Sequence, residues 1–148
     1  MNMDLTNALF NLSFHADTPL GASEPDDHLL KYTVDANAYI GEKHKKKKTG
    51  NFSVWRFNVA AYQDKAGCHL YDLFDADSEE AENLFATIFD YDTATVREDL
   101  FPGGSFGSDI LHFQWATFPV LQMGNLSLAV VERIIECIGG GCCAATLW

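Results

Sequence analysis

Ile110-Leu-His-Phe-Gln-Trp-Ala-Thr-Phe118-Pro119-Val-Leu-Gln122-Met-Gly124-Asn-Leu-Ser-Leu-Ala-Val130-Val-Glu-Arg-Ile134-Ile-Glu-Cys137-Ile-Gly139-Gly-Gly-Cys142-Cys-Ala-Ala-Thr-Leu-Trp148 reads as strand, helix, strand. Ile110, Leu111, Phe113, Trp115 and Phe118 make an aromatic-rich run suited to a central strand, which Pro119 stops because it lacks an N–H for the ladder. Gly124 or Asn125 then leads into Leu126, Leu128, Val130, Val131, Ile134, Ile135 and Ile138, an apolar helical face that turns Glu132, Arg133 and Glu136 elsewhere. Three glycines, Gly139 to Gly141, end that helix. Cys142 to Trp148 is uncharged and apolar, the composition of a strand buried on both faces. Connections this short predict a crossover with the two strands parallel.

Upstream, the period changes from helical to alternating. Leu29, Leu30, Tyr32, Val34 and later Tyr39 and Ile40 suggest one strand, and Phe52 to Tyr62 alternates apolar with polar residues over eleven positions as a second. Between them Lys43 and Lys45 to Lys48 hold half of the basic residues, in a run ending at Gly50 that predicts a solvated hairpin tip joining an antiparallel pair. Residues 1–27 contain Asp17, Pro19, Gly21, Ser23, Pro25, Asp26 and Asp27, so they read as an irregular arm, with the domain proper at 28–148. Asp77 or Ser78 caps a helix whose Leu84, Phe85, Ile88 and Phe89 share one face. Phe101-Pro-Gly-Gly-Ser-Phe-Gly-Ser-Asp109 is a flexible loop. The expected fold class is α/β: a mixed sheet with an antiparallel N-terminal strand pair and a C-terminal β-α-β unit.

Size and composition bound what this fold can do. With 148 residues, 47% hydrophobic and 21% charged, the chain makes one domain that buries roughly 70% of its unfolded surface. Ten Lys and Arg against 21 Asp and Glu leave a net charge of −11, which repels phosphate backbones and anionic lipid heads and argues against nucleic acid and membrane as partners. Ten of the acidic residues fall between Asp72 and Asp99, with Arg97 the one basic residue there. Cys68, Cys137, Cys142 and Cys143 form no Cys-x-x-Cys pair, and the five histidines have no ligand spacing; the expectation is reduced thiols, no metal site and a cytoplasmic protein.

The turn between Phe118 and the last helix carries the chemistry. A strand that ends at a proline and enters a helix near Gly124 aims free backbone amides outward at a positive helix terminus, a cradle for pyrophosphate. Here the segment Phe118-Pro119-Val120-Leu121-Gln122-Met123-Gly124-Asn125-Leu126-Ser127 resembles the coenzyme A signature of the GNAT superfamily of N-acetyltransferases. In that signature Gln or Arg is followed by two variable residues, Gly, one variable residue, then Gly or Ala. Gln122 falls on the first position, Asn125 on the required Gly and Ser127 on the final small residue. Gly139-Gly-Gly-Cys-Cys-Ala-Ala145 is similar to the helix-to-strand passage of such enzymes, and Asp75-Ala-Asp77-Ser78 to the helix start of one subgroup.

The resemblance implies acetyl-CoA as cofactor, held by Phe118, Val120, Gln122, Met123, Gly124, Asn125, Leu126 and Ser127, with transfer of acetyl to a small-molecule or protein amine. In the family mechanism the neutral amine attacks the thioester directly, so the protein positions reactants and polarises the carbonyl. A carboxylate on or beside the central strand commonly serves as base; Asp109 and, through its imidazole, His112 are the catalytic candidates here. Family members usually continue past the strand at Cys142 with another helix and two strands, so the domain is expected to lack them and to leave an edge that a second copy covers as a homodimer. The alternative is a non-catalytic acidic binding protein, an inhibitor or immunity protein for a basic protein partner. It is favoured by Asn125, the short C-terminus and the charge.

Overall fold

The computed structural model describes residues 9–16, 24–40, 45–65, 67–102, 109–117 and 124–147. Five strands, β1 (Leu9–Ala16), β2 (Leu29–Ile40), β3 (Lys45–Phe57), β4 (Asp109–Thr117) and β5 (Cys142–Leu147), form one sheet in the order β1-β2-β3-β4-β5. The first three junctions are antiparallel and β4 pairs with β5 in parallel, so the sheet is mixed. Four helices complete the α/β fold: α1 (Val59–Gln63), α2 (Leu70–Asp75) and α3 (Glu79–Ile88) between β3 and β4, and α4 (Gly124–Ile138) between β4 and β5. The antiparallel pair, the crossover and the helix boundaries near Ser78 and Gly124 agree with the sequence reading.

Strand alternation divides the core into two layers. Trp55, Phe57 and Ile110 pack with Leu73, Phe74, Leu84, Phe85, Ile88 and Phe89 of the α2–α3 layer. Phe52, Val54, Leu111 and Phe113 pack with Val130 and Ile134 of α4 on the opposite face. Phe57 stacks on Phe74 at 4.4 Å, and Phe85 on Phe89 at 5.2 Å. Each fully buried phenylalanine removes enough apolar area to stabilise the fold by about 2–3 kcal/mol, and offset rings add about 1 kcal/mol. α3 forms where it does because the Ser78 hydroxyl accepts the Ala81 amide at 3.3 Å, Glu79, Glu80 and Glu82 complement the helix dipole, and Ala81, Leu84, Phe85 and Ile88 all face the core.

Four expectations are corrected. Residues 9–16, assigned to an irregular arm, form β1: Leu12 and Phe14 alternate with Ser13 and His15 and pack on the α4 layer, a short period-two signal beside the turn formers that begin at Asp17. The second strand stops at Phe57 rather than Tyr62, because Asn58 donates its amide to the His28 carbonyl at 2.9 Å and Val59 to Gln63 turns into α1, burying Val59 and Tyr62. Lys45 to Lys48 and Gly50 are strand residues, not a tip; Lys43 lies outside the described residues. Backbone pairing with Asn37 to Ile40 and the Lys48 Nζ–Asp35 Oδ1 ion pair at 2.5 Å offset the repulsion within the run, and a bulge tucks Thr49 inward, where its hydroxyl donates to the Ala36 carbonyl at 3.1 Å. Finally, β5, at the edge of the sheet as expected, is partly exposed rather than buried on both faces. An uncharged run of small residues reads the same in either place.

Candidate functional site

β4 carries both catalytic candidates, and the fold gives them separate partners. Asp109 lies at the start of β4 and is nearly buried. Its Oδ2 meets Arg56 Nη2 at 2.9 Å and its Oδ1 accepts the Ala60 amide at 3.1 Å, which ties α1 to the sheet. Arg56, projecting from β3, also donates from Nη1 to the Ile138 carbonyl at 2.5 Å, from Nη2 to the Gly140 carbonyl at 2.8 Å and from Nε to Asn58 Oδ1 at 3.1 Å. The guanidinium thus closes the C-terminal end of α4, whose last carbonyls need donors and whose dipole favours a cation. Both Asp109 oxygens are engaged in this architecture.

His112 has a different setting. Its side chain is completely buried, with Trp55 edge-on at 5.9 Å. Nδ1 lies 2.7 Å from Thr146 Oγ1 on β5, and Nε2 lies 3.0 Å from Glu80 Oε1 in the first turn of α3. The second Glu80 oxygen accepts from Gln114 Nε2 at 3.0 Å, and Gln114 Oε1 accepts the Ser53 hydroxyl at 3.0 Å. A carboxylate can only accept, so Nε2 carries the proton in the neutral ring, and Nδ1 is left to accept the Thr146 hydroxyl. Thr146, His112 and Glu80 therefore make a hydroxyl, imidazole and carboxylate series.

The sequence reading named His112 but missed Glu80, Thr146, Gln114 and Arg56. Glu80 looks like ordinary dipole compensation in an acidic helix start, and Thr146 like filler in an apolar strand. Only the parallel register that sets His112 opposite Thr146, with α3 laid across the sheet, brings them together.

Of the residues expected to hold coenzyme A, Phe118, Val120, Gln122 and Met123 lie outside the described residues. Gly124, Asn125, Leu126 and Ser127 form the first turn of α4. β4 runs toward that turn and β5 runs parallel to β4, so the N-terminus of α4 and the carboxyl ends of both strands lie at the same end of the unit. Ligands of open α/β sheets bind in such a place.

Elsewhere in the fold, His28, Asp35, Tyr62 and Cys142 are among the groups whose titration is shifted, each with a clear cause. Burial, then the positive Lys65, lowers the His28 pKa below 6.5 against the opposing pull of Asp27. Hydrogen bonds from Lys48 and Asn51 hold Asp35 below the usual carboxylate range. Burial, followed by Cys68, pushes the Tyr62 hydroxyl up to about 12. Burial raises the Cys142 thiol, with Arg56 opposing it. Among the described residues no cluster of three His, Cys, Asp or Glu could hold a metal ion, and no helix is long and apolar enough to cross a membrane.

The fold and site define the chain as an α/β protein with a five-stranded mixed sheet and a buried hydroxyl–imidazole–carboxylate series at its parallel junction. No protein-family model matches it, and neither the curated proteins nor the solved structures give a match.

Proposed function

We propose that this protein is an acyl-CoA-binding, GNAT-like domain that transfers acetyl from acetyl-CoA to an amine. The observation that carries the reading is the β4–α4–β5 crossover, whose helix opens at Gly124 beside the carboxyl ends of two parallel strands. The first-turn amides of a helix have no acceptor within it and suit a pyrophosphate, and a glycine at position 124 has no Cβ to keep a ligand from the backbone. Exposed acids at Glu79, Asp90, Asp92, Glu98 and Asp99 give the surface the sign that attracts a cationic acceptor. Since Asp109 is committed to Arg56, proton transfer falls to His112.

The commitment of Asp109 to holding α4 also favours a second reading, a non-catalytic domain of the same architecture whose acidic face recognises a basic protein. Calorimetric titration with acetyl-CoA separates the two. The first expects micromolar binding that Gly124→Val abolishes; no heat at millimolar acetyl-CoA leaves the second, and an unchanged affinity in Gly124→Val rejects the α4 terminus as the cradle.

A further inference from the structure

His112 is sealed from solvent, so any chemistry it performs must pass through a neighbour. Its hydrogen-bond partners include Glu80, whose side chain is 30% exposed, and Thr146, which is partly exposed on the edge strand. The donor order runs from Thr146 Oγ–H to Nδ1, and from Nε2–H to Glu80, over 2.7 and 3.0 Å. A hydroxyl within hydrogen-bond reach of a base, with the base oriented by a third group, is the arrangement that activates a nucleophile, and it is recognised by geometry rather than by chain order. Gln114 fixes the Glu80 carboxylate from its second oxygen, and Trp55 packs against the ring, so the imidazole is held in one orientation. His112 and Thr146 are paired one register step before the last pair of the parallel ladder, Phe113 and Leu147, which puts the hydroxyl near the carboxyl ends of the strands.

We infer that Thr146 is an acyl-accepting nucleophile, activated by His112 and oriented through Glu80. For the natural donor, an acyl thioester, this rests on the acyl-transfer reading above; it departs from direct attack by the amine. In the first step Thr146 Oγ forms a bond to the acyl carbonyl carbon while its proton passes to His112 Nδ1. Collapse of the tetrahedral intermediate breaks the carbon–sulfur bond, and the departing thiolate takes the proton from Nδ1. In the second step the acceptor amine attacks the threonyl ester, His112 receives a proton from the amine nitrogen, and that proton returns to Thr146 Oγ as the ester bond breaks. Glu80 balances the imidazolium charge in both steps.

The test uses the full chain with p-nitrophenyl acetate, an acyl donor without a coenzyme A moiety, followed by tandem mass mapping of the acetylated residue. The expected result is saturable nitrophenolate release with acetyl on Thr146. Thr146→Ser should retain the reaction, whereas Thr146→Val and Glu80→Gln should each slow it by about 100-fold or more. Both variants avoid the buried His112 position, and their circular dichroism should match the parent. Acetyl found only on lysine or cysteine, or release unchanged in Thr146→Val, overturns the inference. Labelling of Thr146 without acetyl-CoA binding would leave the nucleophile standing and remove the cofactor reading; acetyl-CoA binding without Thr146 labelling would do the reverse.

Discussion

His28 shows how one buried ring couples this protein to pH. It is nearly inaccessible, stands edge-on to Tyr62 at 5.3 Å, and its Nε2 has no hydrogen-bond partner among the described residues. Its folded-state pKa is below the unfolded 6.5, because burial and Lys65 disfavour the charged ring. As pH falls through 6.5 the unfolded chain takes up a proton that the folded chain refuses, so stability drops on acidification and is restored above 6.5. Urea unfolding between pH 5 and 8 should show this slope, and His28→Phe should flatten it. An unaltered slope would mean that another group controls it. The same scale explains why Glu80 and Thr146 escaped the sequence reading: each side chain has a sufficient local role, and nothing in its immediate neighbours marks its distant partner.

At the scale of elements, boundaries follow from single contacts. α4 ends where the Gly139 amide donates to the Ile135 carbonyl at 2.7 Å, and a Cβ on Gly139 would stand 2.5 Å from that same oxygen and 3.2 Å from Ile135 Cγ2. Because the closer obstacle is backbone, Gly139→Ala should destabilise the protein by roughly 1–3 kcal/mol in chemical denaturation. Gly140 has open space around its Cβ position, so Gly140→Ala serves as the control that should stay near parental stability. The Gly139 to Gly141 run was legible as a helix stop, but which glycine is sterically required was not. β1 was missed for a related reason: an eight-residue stretch, in which Leu12 and Phe14 pack inward, forms a strand only because β2 supplies a ladder for it.

For the whole molecule, Arg56 is the side chain that ties the layers together. It reaches Asp109 on β4, Asn58 before α1, and the Ile138 and Gly140 carbonyls after α4, while Asp109 extends the connection to α1 through Ala60. Arg56→Met keeps the aliphatic stem but leaves a largely buried carboxylate unpaired, so it should cost about 3–5 kcal/mol in urea unfolding. Arg56→Met combined with Asp109→Asn should recover part of that loss, because no unpaired charge then remains. A double variant that is additive would show that the two residues act independently. Neither residue's sequence context reveals this: Arg56 sits at an outward-reading position of a strand, and Asp109 directly follows a glycine-rich stretch of sequence.

By itself the sequence determined the strands centred on β2, β3 and β4, the parallel crossover through α4 to β5, and a helix opening at Asp77 or Ser78, but not β1, α1 or α2. Periodicity, proline stops and capping residues act over a few neighbours, so they can be read without coordinates. Tertiary structure decided that residues 9–16 pair with β2, where Lys45 to Lys48 pair, and which groups face His112. Strand order, register and helix docking depend on contacts between residues tens of positions apart, and a single side chain of Glu80 or Thr146 carries no trace of them until the sheet closes.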